Sequence, residues 1–134
     1  MIRLVIADDH TLMREALKLV LSAEPRLEVV AMCKDGTEAV DACRIVAPDV
    51  VLMDINMHPM NGIEATRSIR SFSDSIKIIG LSMHNDISYV KALTDAGANG
   101  YVTKNAGGDE IIHAIVTAIE GREYISDDIN MLRL

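Results

Sequence analysis

The sequence predicts an α/β domain on a doubly wound, five-stranded parallel sheet, and three observations carry that prediction. Five short apolar runs alternate with five segments of helical period. Most runs are continuous rather than alternating, as expected of strands buried on both faces of a parallel sheet. Gly, Pro and Asn fall at the joins between them. The 134 residues amount to one domain at roughly 150 residues per domain.

The first strand is IRLVIA (2–7), followed by a helix whose face is marked by Leu12, Ala16, Leu19 and Val20. Pro25 precedes the second strand, LEVVAM (27–32), and Gly36 opens a second helix marked by Val40, Cys43 and Ala47. Pro48 introduces the third strand, DVVLM (49–53). Asn61-Gly62 starts a third helix with Ile63, Thr66 and Ile69 on its face. IKIIGL (76–81) is the fourth strand, and Val90, Leu93 and Gly97 mark the fourth helix. The Gly-rich stretch 95–100 ends that helix and turns into the fifth strand, NGYVT (99–103). Ile111, Ile115 and Ile119, beside Ile112 and Val116, give the fifth and clearest helix. Right-handed crossovers leave few orders for five parallel strands. The order 2-1-3-4-5 places a switch point between strands one and three, at the carboxyl ends where ligands bind. No repeat or linker appears before about residue 122, so 1–122 is expected to be the domain and 123–134 the start of a linker.

Composition narrows the function classes. The chain is 49% apolar with three Tyr, one Phe and no Trp, so its core is aliphatic. A net charge of −7 disfavours wrapping nucleic acid, which is met by Lys and Arg in bulk, and disfavours an anionic membrane surface. Cys33 and Cys43 form no C-x-x-C pair and read as reduced, buried thiols. No apolar run approaches the roughly 18 residues of a membrane span, and no secretory leader is visible. A soluble, cytoplasmic protein is expected.

The chemistry-bearing residues gather at the predicted carboxyl ends. Strand one runs into Asp8, Asp9 and His10, strand three into Asp54, strand four into Ser82 and strand five into Lys104. Singly, each has a plain explanation: an Asp pair or a Ser after a strand commonly caps a helix, and a Lys there is commonly a solvated charge. Four elements on four strand ends facing one switch point are harder to explain that way. Three carboxylates at one sheet edge repel unless a cation joins them, and hard oxygen donors in that number suit Mg²⁺. With an ammonium and a hydroxyl beside them, they form a phosphoryl-transfer site with an aspartate nucleophile. His10 reads as a cap of helix one, since a metal role needs a second nitrogen ligand that the sequence does not place. Met57, Met60 and Met83 read as packing residues near Asp54, Cys43 as part of an apolar helix face, and His113 as a surface residue.

The motifs VIADDH (5–10), VVLMDINMHPMNGIEATR (50–67), IIGLSMH (78–84) and ANGYVTK (98–104) resemble the receiver domains of two-component response regulators, over about residues 2–125. MNGIEATR, LSMH and EGREYIS are similar to the branch whose receivers precede a LuxR/FixJ-type helix-turn-helix domain. The resemblance implies that Asp54 accepts a phosphoryl group from a sensor histidine kinase or a small donor such as acetyl phosphate. It implies Mg²⁺ held by Asp9, Asp54 and the backbone carbonyl of Asn56, with Asp8 acting through a metal-bound water. Lys104 would contact a phosphoryl oxygen, Ser82 would move to hydrogen-bond it, and Tyr101 would swing inward behind it. That switch would be read on the face of helix four, strand five and helix five, with homodimerisation as the expected consequence. DNA would be reached only through an effector domain; residues 1–134 alone, at −7, are expected to bind no DNA specifically.

The sequence departs from the family pattern in three places. His58 stands where the family commonly has Pro, with Pro59 one later. Asn105 follows Lys104 where Pro is frequent, so a trans bond is expected. No DNA-binding domain follows Leu134, so the chain reads either as a stand-alone receiver or as a fragment cut in the linker. A competing enzyme reading, an aspartate-nucleophile phosphohydrolase, requires a second Asp two residues after the nucleophile, and that position is Asn56. A receiver-like dimerisation module that is never phosphorylated is disfavoured by the complete acidic site.

Overall fold

A computed structural model describes residues 1–83 and 87–127 of the chain. The order is β1 (Ile2–Ala7), α1 (Thr11–Ser22), β2 (Leu27–Cys33), α2 (Gly36–Val46), β3 (Val50–Asp54), α3 (Gly62–Arg70), β4 (Lys77–Ser82), α4 (Ile87–Ala96), β5 (Gly100–Thr103), α5 (Gly108–Ile119) and β6 (Tyr124–Ile125). The sheet order is β2-β1-β3-β4-β5-β6 with parallel pairing throughout. The expected 2-1-3-4-5 order is present, extended by a sixth strand that the sequence reading did not anticipate.

Alternation along each strand explains the continuous apolar runs. Leu4, Ile6, Val50, Leu52, Ile79 and Leu81 point to one face, where Leu17 and Leu21 of α1 and Ile111 and Ile115 of α5 cover them. Val5, Ala7, Val51, Met53 and Ile78 point to the other, under Ala39, Val40 and Cys43 of α2 and Ala65 and Ile69 of α3. Val90 and Leu93 of α4 pack with Ile55, Tyr101 and Ile125. Burial raises the thiols of Cys33 and Cys43 to about 11 and about 12, which keeps them protonated hydrophobes.

The face expected of α1 is not the buried one. Leu12 and Leu19 are 86% and 77% exposed, Ala16 and Val20 are exposed too, and the helix buries Leu17 and Leu21 with Met13 partly covered. The helix carries two apolar stripes. The stripe with Leu17, Leu21 and Met13 is the one that meets the sheet and α5, and Arg14 Nη1 donates to the Asp8 carbonyl at 2.7 Å. Ala47 is exposed because it caps α2 in the left-handed conformation (φ 45°) before Pro48. Ile119, at the end of α5, is 38% exposed. Met83 is 75% exposed and does no packing of the kind expected, whereas Met57 is buried and Met60 packs against the second core cluster.

The junction between β3 and α3 is close-packed. Asn61 and Glu64 form a capping box at the start of α3. A Cβ on Gly62 would lie 2.2 Å from the Asp54 carbonyl oxygen, so only glycine lets the helix start against the end of β3. Gly62→Ala is expected to destabilise the domain by about 1–3 kcal/mol, seen as a lower urea midpoint with an unchanged slope.

Candidate functional site

The carboxyl edge of β1, β3, β4 and β5 assembles the predicted residues. Asp8 follows β1 and is fully buried; its backbone N–H donates to the Cys33 carbonyl at 3.0 Å, pinning it beside β2. Asp54 is the last residue of β3 and 1% exposed. The Asn56 N–H donates to Asp54 Oδ1 at 3.3 Å, with the Asn56 side chain exposed above it. Ser82 ends β4 and is buried, and its carbonyl accepts from the Lys104 N–H at 2.8 Å. The Lys104–Asn105 peptide is trans, as expected, and His58–Pro59 is cis.

Lys104 is not a solvated charge. Its side chain is 5% exposed, and Nζ stands 3.0 Å from Asp8 Oδ2 and 3.3 Å from Asp54 Oδ2. Those two buried oxygens have no well-aligned hydrogen bond. One ammonium therefore serves two buried carboxylates. Burial first, and then the Asp8 charge, push the Asp54 carboxyl up from its ordinary 3.8 to about 7, against the pull of Lys104 and the Asn56 N–H.

That imbalance is the test for a divalent cation. Asp8, Asp9, His10 and Asp54 each offer a ligand atom, all within 4.8 Å of one another. Buried carboxylate oxygens that lack hydrogen bonds, beside a partly exposed third carboxylate, fit a hard cation such as Mg²⁺. The residues present fit the ion that the sequence predicts.

His10 holds its expected place at the start of α1 but not the expected contact. It is the N-cap residue of α1, but its side chain makes no capping hydrogen bond. Its ring Nδ1 lies 3.1 Å from Asp8 Oδ1, from Asp9 Oδ1 and from Lys104 Nζ. The sequence signal was available, since His10 directly follows the acidic pair. Tyr101 is also notable: its ring is 1% exposed and already packed inward, beneath Ile125 and beside Val90 and Leu93. His113 is exposed, as expected, and meets the Tyr124 ring edge-on at 5.3 Å. His84 of the third motif, and Asp128, Met131, Leu132 and Leu134 of the expected linker, lie outside the described residues. Among the described residues no helix is long and apolar enough to cross a membrane.

The comparisons with known proteins agree with this geometry. The chain is 44% identical over 124 residues to the transcriptional regulatory protein DegU of Brevibacillus brevis, covering 92% of this chain and 52% of that one. It is 38% identical over 129 residues to the response regulator UvrY of Escherichia coli K12, covering 96% and 59%. The chain thus spans a little over half the length of these curated relatives. Its fold superposes on a LuxR-family two-component response regulator from Aurantimonas sp. SI85-9A1 with a TM-score of 0.94 at 35% identity, covering 98% of this chain and 94% of that one. Residues 4–116 match the response regulator receiver domain across all five βα units, and the chain belongs to that family.

Proposed function

We propose that Asp54 is the phosphoacceptor of this receiver and that its acyl phosphate is the signal. The observation that supports this is the shared ammonium: Lys104 lies between the buried carboxylates of Asp8 and Asp54, whose facing oxygens have no hydrogen bonds. Asp9, Asp54 and the Asn56 carbonyl would hold Mg²⁺, with Asp8 acting through water, and the ion would supply positive charge that favours ionised Asp54 and steadies phosphoryl oxygens. The Asp54 carboxylate oxygen attacks phosphorus in line. A P–O bond to Asp54 forms as the P–N bond of a kinase phosphohistidine breaks, and the leaving imidazole takes up a proton. Lys104 exchanges one carboxylate contact for a phosphoryl oxygen, and the Ser82 hydroxyl donates to another. In this reading the partners are a sensor histidine kinase in the cytoplasm and, for transcriptional output, an effector domain of the kind carried by longer relatives.

Incubation with Mg²⁺ and acetyl phosphate is expected to add one phosphate, labile to hydroxylamine, and Asp54→Asn is expected to abolish it. Sustained release of phosphate from many unrelated phosphomonoesters would instead indicate the phosphohydrolase alternative. Asn56 argues against that alternative, because its exposed amide stands where such an enzyme needs a general acid. Phosphorylation is also proposed to drive homodimerisation through the α4-β5-α5 face, where Lys91 and Asp109 are exposed. Sedimentation with Mg²⁺ and beryllofluoride is expected to show a shift from monomer to dimer, and an unchanged mass would refute the coupling.

A further inference from the structure

The chain does not leave the sheet at the end of α5. It turns back and pairs Tyr124 with Gly100 and Ile125 with Tyr101, in parallel register. The Ser126 N–H donates to the Tyr101 carbonyl at 3.0 Å, and Ser126 Oγ accepts from the Thr103 N–H at 3.2 Å. A strand of two residues is too short to hold its place by backbone pairing alone. Glu110, in the first turn of α5, supplies the rest. Its Oε2 accepts from the Tyr124 hydroxyl at 2.8 Å and from the Ser126 hydroxyl at 3.1 Å. Burial and Glu110 raise the Tyr124 phenol to about 12, so it keeps the proton it donates.

This strand covers the part of β5 that leads to the site. Ile125 is buried against the Tyr101 ring. Thr103 pairs with Ser82 and directly precedes Lys104. A ring so enclosed moves only if Ile125 moves with it, because a packed core repacks between discrete arrangements rather than deforming smoothly.

We propose that residues 124–126 are the output element of this receiver: Glu110 clips them to α5, and they change their pairing with β5 when the Asp54 site is phosphorylated. Residues 124–126 are then tightly paired with β5 in one state and loosened in the other. This inference rests on the assignment of Asp54 as phosphoacceptor.

Amide hydrogen exchange on the full 134-residue chain, with and without Mg²⁺ plus beryllofluoride, tests it. Exchange at the Ile125 and Ser126 amides is expected to change by about tenfold on beryllofluoride binding, while Ala39 in α2 stays constant. Glu110→Ala is expected to raise exchange at those amides by about tenfold without beryllofluoride and to remove their response to it. Asn56, beside Asp54, should still respond in that variant. Tyr124→Phe, which deletes one hydroxyl and keeps the ring, is expected to act in the same direction by a smaller factor and guards against a misfolded Glu110 variant. A response at Asn56 with none at Ser126 in the wild type overturns the output proposal and leaves the Asp54 assignment standing. No response at either amide overturns both.

Discussion

At about pH 8 and without divalent cations, the Asp54→Asn protein is expected to unfold at higher urea than the wild type. The Asp54 carboxyl holds its proton up to about pH 7 in the folded chain, against an ordinary 3.8. Between those values the folded protein binds more protons than the unfolded chain, so stability falls as pH rises from about 4 to about 7 and levels off above. The loss is of the order of 2–4 kcal/mol. An asparagine at position 54 has no charge to desolvate and no repulsion toward Asp8, so that slope disappears. Mg²⁺ at about a hundred times its dissociation constant is expected to return about 2.7 kcal/mol to the wild type and little to the variant. Urea midpoints at about pH 5 and pH 8, in EDTA and in Mg²⁺, supply the comparison. The same pH dependence in both proteins would show that Asp54 is not the strained carboxylate.

Lys104→Ala is expected to slow acyl-phosphate formation about 100-fold at neutral pH. Two effects act together. The ammonium 3.3 Å from Asp54 Oδ2 is lost as a contact for the incoming phosphoryl group. Its pull on the Asp54 carboxyl is lost as well, so a smaller fraction of the nucleophile is ionised and the rate's pH midpoint moves upward. The domain is expected to stay folded, because Asp54 takes a proton when its counter-charge is removed and leaves no uncompensated pair of buried anions. Rates with acetyl phosphate between about pH 6 and 9, beside urea unfolding of the same variant, separate chemistry from folding. A rate within about twofold of wild type would remove Lys104 from the site.

Much of this was legible in the sequence because a parallel sheet is a strong constraint. Runs buried on both faces must be continuous, and their carboxyl ends must share one edge, so Asp8, Asp54, Ser82 and Lys104 were bound to meet once the strands were recognised. What stayed hidden depends on rotation and on distant pairing. Helix α1 has two apolar stripes, and which of them meets the sheet depends on how the short turn from β1 sets the helix down, which no periodicity encodes. Strand β6 has two residues and gives no pattern; its place comes from a glutamate 14 positions before Tyr124. The enclosed Tyr101 ring follows from that strand and was equally out of reach. His10 was read as a cap from its position, whereas its ring turns to the carboxylates beside it.

The most direct test is to locate the phosphate. Wild-type protein phosphorylated with acetyl phosphate and Mg²⁺ can be reduced with borohydride, which converts an aspartyl phosphate to homoserine, then digested and sequenced by mass spectrometry. Conversion at Asp54 alone is the expected result. Conversion at Asp8 or Asp9, or a phosphate on Ser82 or His10 that resists reduction, would contradict the assignment on which the rest depends.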